Sequence, residues 1–261
     1  MIADLKRLAH SKDLLYMLTW RDVRVRYKQS IMGLLWAILM PLLIVGAGAM
    51  VRIGAAKWTG TAITPQDMAS VIVRAVIWSF FISAIRFGTA SLISNATLVT
   101  KIAFPKEVFP VAAVLSSLFD FAVAAVIVIV ALPLIGVFPS LQALWMIPLL
   151  LVMIVQAVGL ALMLSATNLF YRDVKYLVEI FLTYAIFFTP VLYPASLMGS
   201  WEKIILLNPI APLLEAMSNA LVTGAPPDPF WTAYATIVSF VLLILGYGIF
   251  KRLEANFAES I

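Results

Sequence analysis

Four charged side chains interrupt stretches that are otherwise apolar: Arg74 and Arg86 in one, Asp120 in the next, Glu179 further on. Two carboxylates can serve acid–base chemistry or a proton relay, and guanidinium groups can hold phosphate. They can also simply satisfy one another, Asp120 or Glu179 pairing with Arg74 or Arg86 at a helix interface. The rest of the reactive inventory is thin. His10 is the sole histidine and cysteine is absent, so thiol and disulfide chemistry are excluded and neither a Cys/His cluster nor an HExxH pair exists to bind a transition metal. No serine within the apolar stretches has a histidine partner, and no GxxxxGK(S/T) loop is present to cradle ATP. The expectation is a chain with no catalytic residues, no metal and no cofactor of its own, whose energised work would need a partner.

The elements that carry these charges are read from composition. Of 261 residues, 63% are hydrophobic and 12% charged, with a mean hydropathy of +1.04. A soluble domain carries about a quarter charged residues, so this is an integral membrane protein. Its apolar runs are continuous rather than alternating, which predicts helices and not a barrel. The net charge of +5 follows from basic residues flanking membrane spans, and nucleic acid is not an expected partner.

Spans are expected over 31–51, 68–94, 109–132, 141–168, 177–193 and 230–250. The first is too long, and follows too long a charged segment, to be a cleaved signal peptide. Residues 1–28 are basic, with Leu5, Leu8, Leu14, Leu15, Leu18 and Trp20 interleaved. Arg21, Arg24 and Lys28 share one helical side, which predicts an amphipathic helix lying in the interface; a solvated basic tail is the alternative. Residues 29–261 then form one transmembrane domain. Between spans five and six, 194–222 holds two helix-length pieces too short to cross, broken at Asn208-Pro209, which predicts a re-entrant outer pair. Counting Lys and Arg in the loops puts thirteen on the side of the termini and three on the other, so both termini and the islands at 95–108 and 171–176 are expected in the cytoplasm.

Arg74 and Arg86 are 12 residues apart, about 18 Å along a helix. Either they snorkel or pair, or they line a wet path taken by anionic groups. Phe181, Tyr184 and Phe188 fall on one helical face with Tyr193 at its exit, and Trp36 and Trp78 lie in the first two spans. Rings of this kind suit a channel for a sliding sugar polymer. Core packing and interfacial belts are the other reading.

Arg21-Asp-Val-Arg-Val-Arg-Tyr-Lys-Gln-Ser-Ile-Met-Gly33, followed by Leu34-Leu-Trp36 and Pro41, resembles the opening of ABC-2 type permeases that export O-antigen, teichoic acid and capsule. The resemblance continues through Lys101-Ile-Ala-Phe-Pro-Lys-Glu-Val-Phe-Pro110, Asn168-Leu-Phe-Tyr-Arg-Asp-Val174, Thr189-Pro-Val-Leu-Tyr193, Leu207-Asn-Pro209 and Phe250-Lys-Arg-Leu-Glu254. Met32 replaces a common leucine. The resemblance implies an all-α half-transporter of the type V exporter fold in the bacterial cytoplasmic (inner) membrane, working as a homodimer with two copies of a separate ATPase that binds ATP and Mg. It places the coupling segment at Lys101, Phe104, Pro105, Lys106 and Glu107, with Arg172 and Asp173 as a second contact. Arg21, Arg24, Arg26 and Lys28 would meet the pyrophosphate of an undecaprenyl-linked polysaccharide. Trp36, Arg74, Trp78, Phe181, Tyr184, Phe188 and Tyr193 would line the channel, and Asn208 and Pro209 would belong to the outer gate. An exporter of a smaller lipid or drug is the nearest alternative. An ion-coupled carrier and an intramembrane enzyme using Asp120 and Glu179 are more distant ones.

Overall fold

The computed structural model describes residues 12–28, 35–60, 62–101 and 104–257. Residues 1–11 of the expected interface helix, 31–34 of the first span, 102–103 of the coupling segment and the Lys101 side chain lie outside the described residues. Among the described residues all regular structure is helical.

The central helix starts at a strong punctuation mark. Thr64 accepts a hydrogen bond from the Asp67 amide while the Asp67 carboxylate accepts one from the Thr64 amide, and Pro65 occupies the first turn, where its missing N–H costs nothing. From there α3 (Pro65–Ser94) runs 30 residues. It is preceded by α1 (Lys12–Lys28) and α2 (Leu35–Thr59), and followed by α4 (Ala96–Lys101), α5 (Val108–Leu134), α6 (Met146–Phe170) and, near the end of the chain, α10 (Pro229–Glu254). In α3, 67% of the most apolar window is buried, against 11% in α2. The second span is thus the hub, packed on α5 and α6, and the first lies mostly uncovered along its flank.

Among the described residues five helices, α2, α3, α5, α6 (with the 3-10 turn Leu141–Trp145 before it) and α10, are long and apolar enough to cross a membrane. All five coincide with expected spans to within a few residues, except that α2 continues to Thr59. The expected fifth span is not one continuous helix. α7 (Val174–Ala185) stops after 12 residues, about 18 Å against a hydrocarbon core of about 30 Å. Residues 186–193 continue as turns. Pro190 and Pro194 remove backbone donors, and Thr189 is pushed out of helical geometry by the proline after it. The Tyr193 hydroxyl donates to the Phe187 carbonyl at 2.7 Å, closing this turn on itself.

The segment 194–222 does break at Asn208-Pro209, but the expected first half-helix is not continuous. A 3-10 turn (Ala195–Trp201) leads into α8 (Glu202–Leu206), and α9 (Ile210–Val222) follows the break at Asn208-Pro209. α9 packs on α3. At the opposite end, a second apolar cluster gathers Leu18, Leu92, Val108, Phe109, Leu169, Phe250 and Phe257. That cluster brings α1, the end of α3, the start of α5, the end of α6 and the end of α10 together.

Candidate functional site

The segment expected to couple to a partner rests on this second cluster. The Phe104 ring packs on Phe109 at 5.4 Å, and the Lys106 ammonium lies 5.5 Å from the Phe257 ring. Glu107 is only 2% exposed and forms an ion pair with Lys251, which also binds Glu254 at 2.7 Å. Glu107 therefore anchors the segment to the last helix from beneath, leaving Phe104, Pro105 and Lys106 nearer the surface. Arg172 and Asp173 are exposed.

The four basic residues of α1 divide into two pairs. Arg24 and Lys28 are exposed, Arg24 stacking over Trp20 at 5.3 Å. Arg21 and Arg26 turn towards the protein. Arg21 donates to Asp22 and to Asn95, both at 2.7 Å. Arg26 pairs with Asp120, donates to Ser116 at 3.1 Å and lies 3.9 Å from the centre of the Phe87 ring. The Tyr27 hydroxyl donates to the other oxygen of Asp120. Burial first, then that hydrogen bond and the Asp120 charge, hold the Tyr27 phenol above its ordinary pKa, so it stays a donor. α1 thus packs along α5 from the level of Phe109 to that of Asp120 rather than presenting its whole basic side outward.

Arg26, Asp120, Arg86 and Trp36 face one cavity of about 270 Å³. Arg86 is held there by Glu179, which accepts from Nε at 2.7 Å and Nη2 at 2.8 Å. Asp120 and Glu179 are each taken by an arginine, so the carboxylate pair an intramembrane enzyme would need is not assembled. The Arg86–Glu179 fork joins α3 to α7 with both side chains more than a third exposed. Glu179→Gln is expected to lower the thermal midpoint of the detergent-solubilised protein by the equivalent of no more than about 1 kcal/mol. A larger drop would mean that α7 depends on this pair for its position.

The aromatic residues separate as well. Trp78, Phe181, Tyr184 and Phe188 line a single apolar groove of about 1030 Å³, together with Asn208 and Pro209. Asn208 donates to the Thr189 hydroxyl at 2.9 Å, so the break at Asn208-Pro209 is tied to the end of the groove. Phe181, Tyr184 and Phe188 are exposed in the single chain, whereas Trp78 is buried. Trp36 lies in the cavity beside Arg26, and Tyr193 is buried in its own turn. Arg74 stands apart from both. It is 2% exposed and donates to Glu215 of α9 at 2.9 Å.

Residues 13–222 match the family of ABC-2 type transporters. The chain belongs to that family. Two proteins of Klebsiella pneumoniae described as O-antigen export system permease protein RfbA are each 30% identical to it, over 97% of this chain and 96% of theirs. A Myxococcus xanthus protein of the same description is 26% identical over the full length of both. This ABC-2 transporter chain is a multi-pass membrane protein and a transport subunit.

Three residues that shape the permease were not given their present roles by sequence reasoning. Glu215 is the one charged residue between Lys203 and Asp228, and a lone acid in an apolar helix is itself a signal that a buried base awaits it. Lys251 reads as an ordinary basic flank of a span, and nothing local connects it to Glu107. Tyr27 reads as an interfacial anchor, yet its hydroxyl is committed to Asp120.

Proposed function

We propose that this chain is the permease subunit of an ATP-driven exporter that moves a lipid-linked polysaccharide of the O-antigen type outward across the cytoplasmic membrane. The observation that carries the reading is similarity to O-antigen export permeases along almost the whole of both chains. Both termini lie in the cytoplasm, in keeping with the excess of Lys and Arg on their side. The turn-broken segment from α7 to Tyr193 completes a sixth crossing. Two copies of the chain form the channel, and the uncovered flank of α2 and the exposed ring face of α7 support that arrangement. Their aromatic surfaces offer a sugar chain stacking contact with few hydrogen bonds to break as it slides.

Force enters at Phe104, Pro105 and Lys106, where a separate ATPase subunit docks. The buried Glu107–Lys251 pair passes the displacement to the last helix, and Arg172 and Asp173 add a second contact. Exposed Arg24 and Lys28 receive the lipid pyrophosphate, while Arg21 and Arg26 hold their helix in place. The outer pair around Asn208 and Pro209 gates the exit.

Lys106→Glu tests the coupling assignment. It is expected to leave membrane insertion and ATPase assembly intact, while export falls at least tenfold relative to ATP hydrolysis. Export per ATP at the wild-type level would remove Lys106 from the coupling surface.

A further inference from the structure

Behind the outer helix pair lies a second, polar pocket of about 290 Å³, lined among others by Arg74, Glu202, Glu215, Asn219, Asp228 and Trp231. From this pocket we infer a saccharide-binding site on the exit side of the permease, an inference that rests on the polysaccharide-export reading above. The site is built around a buried charge. Arg74 is 2% exposed; one of its terminal nitrogens is committed to Glu215, while its Nε has no partner among the described residues. Leaving a buried guanidinium donor unsatisfied is costly, so its place at a pocket wall points to a ligand that accepts hydrogen bonds.

The remaining groups narrow the ligand class. Glu215 is occupied twice, by Arg74 and by the Ala195 amide at 2.7 Å. The Glu202 and Asn219 side chains make no hydrogen bond to another described residue, and the Asp228 carboxylate has only its capping bond from the Trp231 amide. The unneutralised Glu202 and Asp228 oppose an anion such as phosphate. No group of three metal-ligating side chains is found among the described residues. A simple organic cation has no use for the Arg74 donor. What fits is a neutral group that both accepts and donates at several points, which describes the hydroxyls of a sugar ring. Arg74 and Asn219 donate to it; Glu202, Asp228 and Asn219 accept from it. Trp231 adds an aromatic wall fixed by edge contacts with Phe230 at 5.1 Å and Tyr234 at 5.8 Å.

The position gives the site a use. Glu215 joins α3 to the first residue of the outer pair through Ala195, so a sugar bound here contacts the elements whose spacing sets the exit.

The test uses the full-length permease in lipid nanodiscs, titrated with three probes: oligosaccharides cut from the polysaccharide that the host strain exports, spermidine, and inorganic pyrophosphate. The oligosaccharides are expected to bind, and Asn219→Ala and Trp231→Ala to weaken them at least tenfold each, about 1.4 kcal/mol. Leu134→Ala, at a largely exposed side chain that does not line the pocket, is expected to change nothing. Asn219→Asp, which keeps the side-chain shape and removes a donor, guards against a folding defect and is expected to weaken binding too. The site assignment is overturned by absence of oligosaccharide binding, by equal binding to all variants, or by spermidine or pyrophosphate proving to be the probe that these substitutions affect. Deleting the gene tests the underlying reading separately. If surface polysaccharide persists without the chain, that reading falls; if polysaccharide is lost yet the oligosaccharides do not bind, only the pocket assignment falls.

Discussion

Asp120→Ala is expected to destabilise the permease by about 3 kcal/mol, because it strips a largely buried ion pair of one partner. The carboxylate takes the Arg26 guanidinium on one oxygen and the Tyr27 hydroxyl on the other, both from α1. Arg26 and Asp120 are each 19% exposed, so an arginine left alone has little water to turn to. Ser116 at 3.1 Å and the Phe87 ring hold part of the guanidinium but carry no negative charge. With α1 loosened, Arg24 and Lys28 lose their fixed position, and export is expected to fall more than the amount of inserted protein. The decisive comparison is a double-mutant cycle. Removing one charge is costly, whereas replacing both by apolar groups of similar size is often close to neutral. Arg26→Met with Asp120→Leu should therefore recover much of the thermal midpoint lost by either single change. Equal losses in the single and double variants would show that shape, and not charge, seats α1 on α5.

The spans were legible because one property decides them. A continuous apolar run of about 20 residues has few alternatives to a membrane helix, and the starts of α3 and α10 carry proline and capping residues in plain view. The expected orientation rests on an equally local property, the count of Lys and Arg. The ion pairs were legible only as alternatives: Glu179 does pair with Arg86, as one of them had it, but Asp120 goes to Arg26 and Arg74 to Glu215, partners distant in the chain. Arg74 finds Glu215 across 141 residues and Arg86 finds Glu179 across 93. Reading the second span alone gives two costly arginines and no way to choose among several acids. The basic face of α1 misled for a related reason. Helical spacing groups Arg21, Arg24 and Lys28 on one side, but packing turns Arg21 as well as Arg26 towards the protein and, of these basic residues, leaves only Arg24 and Lys28 exposed. The expected fifth span exposed a limit of hydropathy, which counts Pro190 as a mild residue although its backbone ends the helix.

The largest effect of a single methyl group is expected at Gly246. α6 and α10 cross so closely that a Cβ on Gly246 would land on the carbonyl oxygen of Gly159, and a Cβ on Gly159 would lie 2.6 Å from the Leu243 amide nitrogen. Backbone meets backbone in both directions, so no side chain can swing aside, and the two helices must separate to admit the extra atom. Small residues at such crossings let helices gain dispersion contact that lipid would otherwise supply on each side. Gly246→Ala is expected to cost about 3 kcal/mol or more, at or beyond the upper end for overpacking. Gly248, two residues along the same helix, has nothing within 4 Å of its would-be Cβ. There the same substitution only restores helix propensity, and Gly248→Ala is expected to raise stability by up to about 1 kcal/mol. Thermal midpoints of the two purified variants thus move in opposite directions from wild type. If both rise, or both fall alike, α6 and α10 do not meet at these glycines. The seam also bears on the proposed coupling: Lys251, which binds Glu107 in the proposed coupling segment, follows Gly246 by five residues on α10. A helix pushed off α6 at Gly246 draws Lys251 away from Glu107, so Gly246→Ala should reduce export per ATP hydrolysed even in the fraction of protein that remains folded.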